Sequence, residues 1–260
     1  MSERTRADLG RMLAEDRIEL AEANLLICAE ADPRVDIPRA LARVDALAER
    51  ARSEGVVETL RDAGFTGAVD DYDEPVNSFL SEVLDRRRGI PIALCTLALA
   101  VSERAGAAMA GIGMPGHFVL ADLRAGGPAY IDPFGGWARL DTADCARLVE
   151  RTTGLPFRPE HLRPVSERAI LIRTLLNLRG SYLRRRRLPD ALWTVELSLI
   201  VAPDDPGLVR DAVTLLAGAG RYLEAEAAAS SYLSSRPDDP AAPALEAQRE
   251  TVRDLIRRMN

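Results

Sequence analysis

Lysine is absent from the chain. All 34 basic residues are arginine, set against 40 acidic residues. No lysine can therefore form a Schiff base, steady a phosphate as an ammonium, or accept an acyl group in self-crosslinking. Cysteine and histidine are almost as scarce, at three and two residues. Cys28, Cys95 and Cys145 are odd in number and widely spaced, which fits neither a disulfide framework nor a zinc knuckle. His117 and His161 lie too far apart to suggest a metal site, and no cofactor is expected. No run of 18 apolar residues occurs, so no membrane span is expected. The opening MSERTRADLGRML lacks an apolar core with a small-residue cleavage site, and the expected location is the cytoplasm. A net charge of -6 and a pI near 5.2 argue against a general nucleic-acid binder.

What is present has helical periodicity at both ends and a different rhythm in the middle. Ile18, Ala21, Leu25 and Cys28 recur at helical spacing, and Asp32-Pro33 breaks the pattern. Asp36 is placed to cap a second helix with Pro38 in its first turn and Leu41, Val44, Leu47 and Ala48 on one face. GFTGAVDDYDEPVNS at 64–78 reads as a loop rich in turn formers and acids, with Asn77 as a helix cap, leading to a short helix at 79–86. The run Arg86–Arg88 reads as a solvated helix end, or as a clamp pairing with Asp71, Asp73 or Glu74. Residues 90–105, IPIALCTLALAVSERA, form the most apolar helix, with Pro91 tolerated in the first turn and Gly106 as the stop. Beyond it, 110–113, 117–122 and 129–132 read as strands of a small antiparallel sheet, and 141–152 as a helix.

The last hundred residues repeat. PDDP occurs at 203–206 and again at 237–240, a 34-residue interval matching the period of tetratricopeptide repeats. Leu175, Leu178, Tyr182, Ala191, Ser198 and Pro203 resemble that repeat in a first unit, and Ala225 and Pro237 in a second. Residues 241–258 are expected to cap the array. Arg184–Arg187 reads as an exposed turn between repeat helices or, alternatively, as a site for an acidic partner.

The stretch NSFLSEVLDRRRGIPIALCTLALAVSERAG, followed by PGHFVL and YIDPFGGWARL, resembles the transglutaminase-like core of a bacterial family of SirB-type proteins. That family also carries C-terminal tetratricopeptide repeats, and a related domain occurs in some eukaryotic F-box proteins. The resemblance implies an α+β, mostly helical, papain-like core with a small antiparallel sheet over 1–164, and helical repeats over 165–260. In catalytic relatives a cysteine opens a buried helix, and a histidine and an aspartate follow on successive strands. The thiolate attacks, the imidazole moves the proton and the carboxylate fixes the tautomer. His117 and Asp132 match the histidine and the aspartate. The cysteine position, counted back from Gly106, falls on Pro91, which has no nucleophilic atom.

Cys95 lies one turn further, about 6 Å along the axis, among Ile92, Leu94, Leu97 and Leu99. That setting suits an inert core thiol. The sequence reading is therefore a non-catalytic binding or scaffold protein, taking a protein or peptide partner through its repeats, with no nucleic-acid or membrane partner. The alternative is a cysteine hydrolase or acyltransferase built from Cys95, His117 and Asp132. His117 and Asp132 also admit two further readings, as a hydrogen-bonded piece of core or as the wall of a ligand pocket.

Overall fold

A computed structural model describes residues 3–15, 18–124 and 129–259. The chain divides into two compact units, Met1–Thr174 and Leu175–Asn260. The first opens with helices α1 (Glu3–Ala14), α2 (Leu20–Ala31), α3 (Ile37–Glu54) and α4 (Val56–Asp62). Asp36 caps α3 as its sequence position implies, its carboxylate accepting from the Arg39 amide at 3.0 Å. A two-residue strand β1 (Thr66–Gly67) pairs in parallel with β2 (Arg88–Gly89), and between them lie a 3-10 turn at Pro75–Ser78 and helix α5 (Leu80–Arg86).

Helix α6 (Pro91–Ala105) is the axis of this unit. Pro91 occupies the first helical position, where a missing N–H breaks no helical bond. Gly106, at φ 73°, closes the helix in the left-handed conformation, and the next amide, that of Ala107, reaches back to the Ser102 carbonyl at 2.8 Å. From Pro91 to Ala98 every side chain is buried. Helices α2, α3, α4 and α5 pack around α6, and a sheet packs beside it. A helix apolar on all sides is one enclosed on all sides.

The sheet is an antiparallel meander of β3 (Met109–Ile112), β4 (Val119–Asp122), β5 (Ala129–Asp132) and β6 (Ala138–Leu140). Val119, Ala121 and Tyr130 pack with Cys145, Leu148 and Val149 of α7 (Thr142–Thr153). Helix α6 lies against β3 and β4. Cover on both faces explains why β4 is buried throughout and shows no polar alternation. The meander corrects one expectation. His117 does not lie on a strand but two residues ahead of β4, in the turn where its amide donates to the Met114 carbonyl at 3.3 Å.

In the second unit the repeats are helical pairs, as the 34-residue interval requires. Helix α8 (Glu167–Arg184), which contains the boundary between the units, is followed by α9 (Leu188–Val201), α10 (Pro206–Gly218), α11 (Tyr222–Ser235) and α12 (Ala242–Met259). Ala191, Ala212, Ala225 and Ala229 are fully buried, because small side chains let paired helices approach closely. Arg187 lies over the Tyr182 ring at 5.0 Å and pairs with Asp190 at 2.9 Å. That part of the Arg184–Arg187 run is engaged within the turn itself.

Candidate functional site

Three backbone segments meet around the start of α6. The first is the Gly89-Ile90-Pro91 entry. It is held by the Ile90 amide donating to the Asn77 carbonyl at 3.0 Å. Asn77 is not a helix cap, as its sequence context suggests; α5 has Phe79 at its cap position, with no side-chain bond. Asn77 is instead fully buried. Its Nδ2 donates to the Asp71 carbonyl at 2.6 Å, and its Oδ1 accepts from Arg86 at 2.8 Å. Arg86 also pairs with Asp71, and Arg88 lies 3.5 Å from Asp70. These bonds clamp the acidic loop, which is the second of the two roles open to Arg86–Arg88.

The second segment is the turn bearing His117, and the third is the five-residue hairpin turn between β5 and β6. His117 Nε2 and Asp132 Oδ1 are 3.0 Å apart, and each residue is 8% exposed. Asp132 Oδ1 also accepts from the Phe134 amide at 3.1 Å. At Gly135 a β-carbon would fall 2.6 Å from Asp132 Oδ2, so a side chain there would displace the carboxylate. Trp137 ends the turn at φ 63°, a conformation rarely adopted by a bulky residue, and is fixed by its indole N–H donating to the Phe65 carbonyl at 2.8 Å. The chemistry of this pair is plain. A carboxylate that accepts from Nε2–H holds the imidazole with Nδ1 as the free acceptor. Nδ1 makes no hydrogen bond among the described residues and is not sealed from solvent.

Cys95 is 0% exposed, and its thiol donates to the Phe118 carbonyl at 3.6 Å. Burial drives its pKa well above the usual thiol range, and the Asp132 carboxylate adds to the rise. The structure thus brings His117 and Asp132 into contact and gives the Cys95 thiol a backbone partner. Pro91 stands at the first position of α6. Sequence reasoning passed over Phe134 and Tyr72, whose rings meet edge to face at 5.6 Å, and over Arg173, whose guanidinium donates to the Met114 carbonyl at 3.4 Å. Phe134 was visible only as part of the DPFGGW stretch, and Arg173 had no signal beyond its place in a helix. His161 lies apart from this site, in a 3-10 turn, where its Nδ1 accepts from the Arg158 amide at 3.2 Å.

Residues 18–176 match the model of the transglutaminase-like superfamily, and residues 178–250 match a tetratricopeptide repeat. The chain is similar to a UPF0162 protein of Vibrio cholerae, 30% identical over 248 residues that cover 90% of this chain and 92% of the relative. A UPF0162 protein of Xylella fastidiosa is 32% identical over 153 residues, 57% of this chain and 54% of the relative. A shorter match reaches mouse F-box only protein 21, 30% identical over 115 residues, 41% of this chain and 18% of the relative. No solved structure matches.

Proposed function

The chain belongs to the transglutaminase-like superfamily, and from that premise we propose that it works as a binding or scaffold protein without thiol catalysis. The observation that carries this reading is Pro91 at the first position of α6, where the superfamily's chemistry needs a sulfur. Proline offers neither a nucleophile nor an N–H. The nearest thiol on the helix supports the same reading. A nucleophile must lie within about 3 Å of its base and be ionised near neutral pH. Cys95 instead donates its proton to a backbone carbonyl, is buried, and has a raised pKa.

A transglutaminase-like domain followed by tetratricopeptide repeats suggests a protein-interaction role. In our reading the repeats hold a protein or peptide partner, and the site around His117 and Asp132 holds part of a ligand. Iodoacetamide labelling tests the loss of thiol chemistry. Cys28 and Cys145 are also buried and free, so they serve as internal standards. In the folded protein all three thiols are expected to react at the slow rate set by opening of the fold. Selective, fast alkylation of Cys95 that disappears in His117→Ala would overturn the proposal in favour of a cysteine hydrolase or acyltransferase.

A further inference from the structure

Arg173 is a half-buried arginine of the first unit that the described residues around it do not neutralise. Among the described residues no carboxylate lies within ion-pair distance of it, and its acceptor is the Met114 carbonyl at 3.4 Å. The other partly buried arginines near α6 differ. Arg104 is held by Glu19 and Asp45, each at 2.8 Å, and Arg86 by Asp71 and Asn77. A guanidinium has five N–H donors in a rigid fork, and one long bond to a carbonyl satisfies little of it. Burial without a counter-charge lowers the pKa of Arg173. Buried charges are ordinarily paired, so the missing partner is informative.

The position of this cation is informative too. The Met114 carbonyl that accepts from Arg173 also accepts from the His117 amide at 3.3 Å. On the other side, the His117 ring meets Phe134 edge to face at 6.1 Å, and Phe134 meets Tyr72 at 5.6 Å. Tyr72 in turn is close enough to Arg173 to act on it electrostatically. Imidazole, phenyl and phenol therefore form a row that starts at the turn carrying the Arg173–Met114 bond and ends at Tyr72. Tyr72 is 42% exposed, so the row reaches solvent at that end. Asp132 does not fill the gap: its ion-pair partner is His117, and its Oδ1 also accepts from the Phe134 amide.

We propose that Arg173, His117, Phe134 and Tyr72 form a binding site for a carboxylate carried on a peptide or small molecule. The guanidinium fork matches a carboxylate in a bidentate pair, the strongest neutralisation available to it. The edges and faces of Phe134 and Tyr72 take the apolar part of the ligand. A doubly charged phosphate fits less well. Arg86 and Arg88 are already engaged by Asp70 and Asp71, and the neighbouring loop carries further acids at Asp73 and Glu74. One cation in acidic surroundings selects a single negative charge. The inference rests on the binding-protein reading and names its ligand class.

The chain has two histidines, so protein labelled with 15N-histidine gives one reporter in the site and one control, His161. Three probes suffice, each carrying a phenyl ring: N-acetylphenylalanine with a terminal carboxylate, N-acetylaspartylphenylalaninamide with a side-chain carboxylate, and the neutral N-acetylphenylalaninamide. The acids are expected to shift the His117 ring signals along a saturable curve while His161 stays fixed. The neutral amide should bind about tenfold or more weakly. The tighter acid identifies the carboxylate as a chain terminus or a side chain. Arg173→Gln should weaken acid binding about tenfold or more. Arg173→Lys keeps the charge but loses the fork, so it should fall between, and it also guards against a Gln variant that fails to fold. The proposal is overturned if no probe shifts His117 saturably, if acid and amide bind alike, or if both variants bind like the parent. None of these outcomes alters the thiol-labelling result, so failure of the site and failure of the binding-protein reading can be told apart.

Discussion

A β-carbon added at position 89 would lie 2.8 Å from Cγ2 of Val83 and 3.4 Å from the Asn77 carbonyl oxygen. Val83 is fully buried, and a β-branched side chain has little freedom to turn aside. Gly89→Ala is therefore expected to lower stability by about 1–3 kcal/mol, read as a lower urea midpoint at unchanged slope. The glycine of the Gly-Ile-Pro entry is thus required by packing, whatever chemistry follows it. Single residues were legible in the sequence where their role is local. Pro91 and Gly106 mark the two ends of α6 because each acts through its own backbone. Asn77 and Arg173 were not, because their roles depend on partners brought together by the fold: Asp71 and Arg86 for the first, Met114 for the second. A polar residue among turn formers looks like a cap until the buried space around it is known.

Repetition of PDDP at a 34-residue interval has a local cause in the turns that lead into the helices that follow. Asp205 caps α10, accepting from the Gly207 and Leu208 amides at 2.8 and 3.1 Å. Asp239, at the equivalent place, accepts from the Ala241 amide at 2.7 Å and from the Tyr232 hydroxyl at 2.9 Å. Asp205→Ala is expected to cost about 1 kcal/mol, the usual loss for a helix cap. Asp239→Ala should cost more, by about 1 kcal/mol, because it also strands the Tyr232 hydroxyl. Thermal denaturation of the two variants checks the order. Elements with such signals were readable, as were the sheet's strands β3, β4 and β5 to within two residues. The pair β1–β2 was not, because two residues joined across the loop and helix between them leave no periodic trace. Helix α4 and strand β6, with seven and three residues, are also too short to carry a pattern.

Across the molecule, the absence of lysine leaves few groups that titrate in alkaline solution. Burial raises the Cys145 thiol from 9.0 to about 11, and Cys28 and Cys95 are also raised by burial. Tyr182 is pushed up to about 12 for the same reason. These acids ionise more readily in the unfolded chain than in the folded one. Stability is therefore unaffected by the thiols below pH 9 and falls as the pH climbs from 9 towards 11, with a slope of up to about 1.4 kcal/mol per pH unit for each thiol. Urea midpoints measured across that range check the sign, and a flat profile would contradict the burial of the three thiols. The two indoles are also divided between the units, Trp137 in the first and Trp193 in the second. Trp137 closes the same hairpin turn that fixes Asp132 and Phe134. A Trp193→Phe protein would thus emit from the site's own turn alone, and occupancy of that neighbourhood could be followed as a change of colour in its fluorescence without any attached dye.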